Sequence, residues 1–147
     1  MAMYLNFRLR RLRIPCKLVT AGGSAICEHF LTLSDKDAAI IYNFSRLSTD
    51  NLRIMKILKD HHATSILITD MHNPTSTENV DYVLYAERGK KGTFPSPVVP
   101  MAITFALILG VNDRLKTQSI EALKKLEELR ATYIYNKPTH PKKNYKE

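Results

Sequence analysis

Cysteine is nearly absent from this chain, and acidic residues are scarce. Only Cys16 and Cys27 occur among 147 residues, without a CxxC spacing and without a secretory leader before them. A disulfide framework is therefore not expected, and reduced thiols in a cytoplasmic protein are. A long apolar run is also lacking. The most apolar stretch, Val98 to Val111, contains Pro100 and Thr104 and is shorter than the roughly 18–20 residues of a membrane span. A helix buried on all sides is expected there, and no membrane partner. Internal repeats are missing, which sets aside solenoids and arrays.

Asp and Glu number 14 against 22 Lys and Arg, for a formal charge of +8. Such an excess raises the question of nucleic acid, and its distribution answers it. Arg8, Arg10, Arg11, Arg13 and Lys17 lie near the start, Lys90 and Lys91 in a glycine-bounded loop, and Lys137, Lys142, Lys143 and Lys146 in a tail with Pro138 and Pro141. Dispersed charge of this kind belongs to solvated faces. No helix-turn-helix, zinc-ligand array or set of stacking aromatics accompanies it. Weak non-specific affinity for nucleic acid is allowed; specific DNA contact is not expected. The arginine-rich start is not a transit peptide, because Leu5, Leu9 and Leu12 recur at helical spacing and Pro15 ends the run.

With 44% hydrophobic content the chain can bury one core. The pattern predicts a helix over Ala2 to Leu12, a short strand at Cys16 to Val19, and a short helical segment over Ser24 to Leu31. A strand follows over Asp37 to Asn43, then a helix from Thr49 to Lys59 with Leu52, Met55 and Leu58 on one side. Ala63 to Asp70 is a strand covered on both faces, ended by an Asn73-Pro74 turn, and Asp81 to Tyr85 is a further strand. A loop over Glu87 to Pro97 leads to the buried helix. Asn112 or Asp113 is expected to cap a last helix with a stripe of Leu115, Ala122, Leu126 and Leu129 and a Glu121–Lys125 pair. Strands alternating with helices imply βαβ units and a parallel sheet.

The turn between Asn43 and Asp50 carries the functional signal. Helix N-termini at the carboxyl ends of parallel strands offer unpaired N–H groups and partial positive charge. Asn43, Ser45, Ser48 and Thr49 add amide and hydroxyl groups suited to a phosphate. The plainer alternative is that Ser48, Thr49 and Asp50 cap the helix. Elsewhere the signals are weaker. His61 and His62 fit a helix C-terminus better than a metal site. Asp70 and His72 fit a polar turn better than an acid–base pair. Met101, Phe105 and Leu109 belong to a core or an interface.

From Ala2 to about Leu115 the chain resembles the sugar isomerase (SIS) domain, in the version found in RpiR-type transcription regulators. The segments YLNFRLRRLRIPCKLV, LSDKDAAIIYNFSRLSTDN and HATSILITDMHNPTSTENVDYVLY carry the resemblance in order and spacing. It implies an α/β fold, a three-layer αβα sandwich about a parallel, flavodoxin-like sheet. It also implies a cytoplasmic, non-catalytic effector domain that binds a phosphorylated sugar without a cofactor and forms a homo-oligomer. Carried over, the phosphate loop falls on Asn43, Ser45, Arg46, Ser48 and Thr49, with Thr69 at the end of the next strand. Asn43 stands for the family's first serine, Arg46 for its glycine and Ser48 for its threonine, which implies a degraded or retuned site. The family's opening strand and Gly/Ser turn have no counterpart before Ala2. Residues 1–135 are then a partial domain of this type, with 136–147 a disordered basic tail. A fragment of a longer regulator, a strand supplied by another chain and a decaying gene each account for this. The alternatives in function are an aldose–ketose sugar-phosphate isomerase and a basic protein binding nucleic acid non-specifically.

Overall fold

A computed structural model describes residues 1–20, 22–72, 77–90 and 92–135. The predicted Asn73-Pro74 turn, Lys91 and the predicted tail lie outside the described residues. Helix α1 spans Ala2–Arg11, followed by a 3-10 segment over Gly23–Phe30. Strand β1 (Ala38–Tyr42) leads to α2 (Thr49–Asp60), then β2 (Thr64–Thr69) and β3 (Tyr82–Tyr85). Two helices close the described chain, α3 (Val98–Leu115) and α4 (Thr117–Tyr135).

The three strands form one parallel sheet in the order β1-β2-β3. Ile40 pairs with Ile66, and Ile66 with Tyr82. Lying between two neighbours, β2 is the most covered strand, with Leu67, Ile68 and Thr69 all at 0% exposure. At the start of the sheet Asp81 accepts from the Ser65 amide and hydroxyl, both at 2.7 Å. Those two bonds hold the Asp81 carboxyl below its ordinary value, more than burial raises it.

Successive strand residues point to opposite faces, and two contacts place the helices accordingly. Tyr42 donates its hydroxyl to Thr104 Oγ1 of α3 at 2.8 Å, since Thr104 itself donates to the Pro100 carbonyl at 2.7 Å. Burial pushes the Tyr42 hydroxyl's pKa up, and the bond to Thr104 offsets only part of that. Asn43, the next residue, meets Asn51 of α2 instead. Helices α2 and α3 therefore cover opposite faces, giving the αβα layering. Met55 and Leu58 of α2 are fully buried.

Four expectations need correction. Cys16 to Val19 joins no strand; β-favouring residues become a strand only where a neighbour completes the ladder, and among the described residues β1 pairs on one side only, with β2. Helix α3 is not buried all round. Pro100, Thr104 and Ile108, one turn apart, face inward, while Val98, Phe105 and Leu109 are exposed. At 18 residues it is also long and apolar enough to cross a membrane by length and composition, longer than its sequence pattern predicts. Asn112 and Asp113 do not cap the last helix, because α3 continues through them and breaks at Lys116, which has φ 35°. In α4, Lys125 pairs with Glu128 at 2.9 Å rather than with Glu121; of the predicted stripe Ala122 is buried and Leu129 exposed.

Candidate functional site

All three strands run the same way, so their carboxyl ends deliver three segments to one rim. Past β1 comes Asn43, whose N–H still donates to Ile68 in the ladder at 3.1 Å. Its side chain is buried, its Oδ1 accepting from Asn51 Nδ2 and its Nδ2 having no partner among the described residues. Then the chain reverses sharply. The Arg46 amide donates to the Phe44 carbonyl at 2.7 Å, closing a three-residue turn about Ser45, which adopts φ 64°. This kind of turn is rare and strained for a residue with a side chain.

The positive φ thus falls on Ser45 and not on Arg46, the position where the resemblance leads to glycine. Arg46 takes no left-handed conformation and is exposed. Ser48 is the N-cap of α2, its hydroxyl accepting from Asn51 N–H at 3.1 Å. That satisfies one of the orphan donors of the first turn. Thr49 opens the helix. Asp50 in the first turn accepts from the Gly23 amide at 3.2 Å and lies 3.5 Å from Arg53. Thr69 is fully enclosed, and its hydroxyl accepts from Met71 N–H at 3.1 Å.

The rim's charge lies in two residues outside that predicted set. Asp70 follows β2 and Arg88 follows β3. Asp70 Oδ1 accepts the Ser45 amide at 2.8 Å. Its Oδ2 accepts from Arg88 Nε, also at 2.8 Å. Arg88 Nη2 returns to the Ser45 hydroxyl, closing a ring of three residues from three different loops. The guanidinium lies 4.5 Å over the Phe44 ring, a favourable place for a cation. Side-chain exposure is only 18% for Arg88 and 17% for Asp70. Burial alone raises the Asp70 carboxyl's pKa, but the Ser45 amide and Arg88 together hold it below the ordinary carboxylate value.

Asp70 and His72 form no pair. His72 lies 3.1 Å from Glu87 and stacks on Tyr85 at 4.3 Å. Among the predicted site residues, the structure joins Ser45 to Asp70 and Arg88, and links Asn43 and Ser48 through Asn51. Arg46 and Thr69 stand apart from both groups. Arg88 was missed because the run after Tyr85 looked like featureless loop. A signal was present: it is a charged residue within three positions of the end of a parallel strand, as Asp70 and Glu87 also are. Two surface hollows lie elsewhere, one along α4 at Ile120, Leu123 and Glu127, the other at Leu12, Pro15 and Leu115.

No protein-family model matches the sequence, and no curated protein matches it. Solved structures do. The sugar isomerase domain of an RpiR transcription factor from Sphaerobacter thermophilus superposes with a TM-score of 0.77 at 22% identity, over 86% of this chain and 71% of that one. The Vibrio vulnificus NanR protein complexed with ManNAc-6P superposes with a TM-score of 0.70 at 14% identity, over 91% of this chain. The match spans about half of the NanR chain, 52%. Parallel order, helices on both faces and these superpositions agree: the chain has the fold of the sugar isomerase domain carried by RpiR-type regulators.

Proposed function

We propose that this chain is a non-catalytic, cytoplasmic sensing domain of a transcription regulator, which binds a phosphorylated sugar at the rim built by Ser45, Asp70 and Arg88. One observation carries the reading. The Ser45 amide and the Arg88 guanidinium already hold an anion, the Asp70 carboxylate, at the carboxyl ends of parallel strands. Donors that hold a carboxylate in this way suit a phosphoryl oxygen equally well. The NanR structure, with its sugar phosphate, lends support at the level of fold. The site is retuned relative to the resemblance: its charged donor is Arg88, while Asn43 is turned toward α2. A sensing role also fits His72, which is engaged with Glu87 and Tyr85 rather than poised as a base.

A panel of hexose and N-acetylhexosamine phosphates in a thermal-shift assay tests the reading. A ligand at 100 times its dissociation constant is expected to stabilise the chain by about 2.7 kcal/mol, or roughly 5–10 °C for a domain of this size. Absence of any shift at millimolar concentration rules the reading out.

The uncovered side of α3 and α4, with Phe105, Leu109, Ile120 and Leu123 exposed, is proposed to bury against a second copy. Single exposed apolar residues are ordinary, but several large ones on two successive helices support an interface. Phe105→Asp is expected to shift the sedimentation coefficient from dimer to monomer. A wild-type chain that sediments as a monomer at tens of micromolar removes this part of the proposal.

A further inference from the structure

We infer that Asp70 is a tethered competitor: it occupies the Ser45 amide and Arg88 in the free chain, and a phosphomonoester binds by taking its place on those two donors. The inference rests on the anion-binding reading of the rim and gives that site a built-in threshold.

The contacts determine how the exchange works. A carboxylate facing an arginine alone commonly takes a two-pronged grip from Nε and one Nη. Here it takes a single prong, from Nε at 2.8 Å, while its other oxygen lies on the Ser45 amide at 2.8 Å. Arg88 Nη2 is directed to the Ser45 hydroxyl. The carboxylate therefore bridges two donors from different loops, as a free anion would. A guanidinium carries five N–H donors, and this ring uses two of them, so the fork also has groups to offer an arriving phosphoryl oxygen. Phe44 beneath the guanidinium and the hydrogen bond from Ser96 N–H to the Arg88 carbonyl at 2.8 Å hold it in place during an exchange.

Charge sets the threshold. With Asp70 ionised the Asp70–Arg88 pair is neutral, so an arriving dianion gains only by displacing one negative group with another. With Asp70 neutralised, the rim carries an unmatched positive charge in a mostly enclosed setting, where attraction is strong. A second feature points the same way. Asn43, the residue preceding the Phe44–Ser45 turn, is 5% exposed and its Nδ2 has no partner among the described residues. That buried donor lies beside the rim and adds an N–H suited to an anion.

Asp70→Asn separates the roles. The amide oxygen keeps an acceptor for the Ser45 N–H, while its NH2 faces Arg88 and releases it. With inorganic phosphate as probe, titrated by calorimetry and followed by the Ser45 amide resonance, the variant is expected to bind at least ten-fold tighter than wild type. Asp70→Asn combined with Arg88→Gln is expected to lose that gain. Arg88→Gln alone is expected to weaken phosphate binding at least ten-fold, which keeps a reading should Asp70→Asn not fold. Phosphate affinity unchanged or weaker in Asp70→Asn, or unchanged in Arg88→Gln, overturns the inference. The same titrations with glucose 6-phosphate and with glucose separate it from the broader reading. Wild-type binding of the sugar phosphate that Asp70→Asn leaves unchanged sinks the competitor and keeps the sensor. A ten-fold gain for inorganic phosphate, with none of the sugar phosphates of the thermal-shift panel bound by any variant, keeps Asp70 as a competitor for the phosphate group and sinks the sensor.

Discussion

Leu67→Ala is expected to lower the unfolding free energy by about 3–4 kcal/mol, the upper-middle of the range for a buried leucine. Leu67 lies at 0% exposure on the central strand, paired with Ile41 on one side and Val83 on the other. Paired residues of a parallel sheet share a face, and Asn43, two residues beyond Ile41, meets α2. Leu67 therefore lies on the face covered by α2, whose Met55 and Leu58 are themselves at 0%. Truncation leaves a cavity walled by two strands and a helix, elements that collapse poorly because each is fixed by its own hydrogen bonds. Urea unfolding should show the midpoint falling with an unchanged slope, and the melting temperature dropping by roughly 6–16 °C. Leu84→Ala, on a half-buried edge position of β3, is expected to cost about half as much. A loss below about 1.5 kcal/mol for Leu67→Ala, outside the usual leucine range, would show that the sheet does not form the core.

The difference between those two leucines was partly legible in the residues alone. The apolar succession within Ala63 to Asp70 marks a strand covered on both faces, and β2, Thr64–Thr69, is that strand. The helix following β1 was legible for a similar local reason, Ser48 and Asp50 marking its start. What failed had no local cause. Cys16 to Val19 has strand-like residues, but pairing depends on what lies beside them. The composition of α3 is uniformly apolar, and uniform composition says nothing about which side is covered; only Pro100, Thr104 and Ile108 turned out to face inward. The candidate site divides in the same way. Ser45 and Ser48 stood out within one turn of chain. Asp70 and Arg88 lie 18 residues apart in sequence, and only three aligned strands bring them to Ser45. A search for charged residues within three positions of each parallel strand's end would have found both, together with Glu87.

Arg88→Ala is expected to destabilise the chain at neutral pH by about 2–3 kcal/mol, less than the 3–5 kcal/mol of a fully buried pair because both groups keep some contact with water. Removing the guanidinium leaves the Asp70 carboxylate in a mostly enclosed place with backbone amides, Ser45's first, as its remaining donors. Asp70→Ala and the double variant complete a cycle, with a coupling energy of about 1–2 kcal/mol expected for groups in direct contact. The pH dependence identifies its origin. The Asp70 carboxyl lies below its ordinary value in the folded chain. Its contribution to stability is therefore fully present above the unfolded value, near pH 4, and is lost as pH falls through the lower folded value. In Arg88→Ala burial has less to oppose it, so the folded value rises and that loss begins at higher pH. The coupling should accordingly be full at pH 7 and fade in acid, from the raised value of Arg88→Ala down through the lowered value of the wild type, as Asp70 gains its proton. A coupling that persisted unchanged in acid would trace to packing of the Arg88 stem on Phe44, and Asp70 would then have no electrostatic hold on the guanidinium it is proposed to surrender.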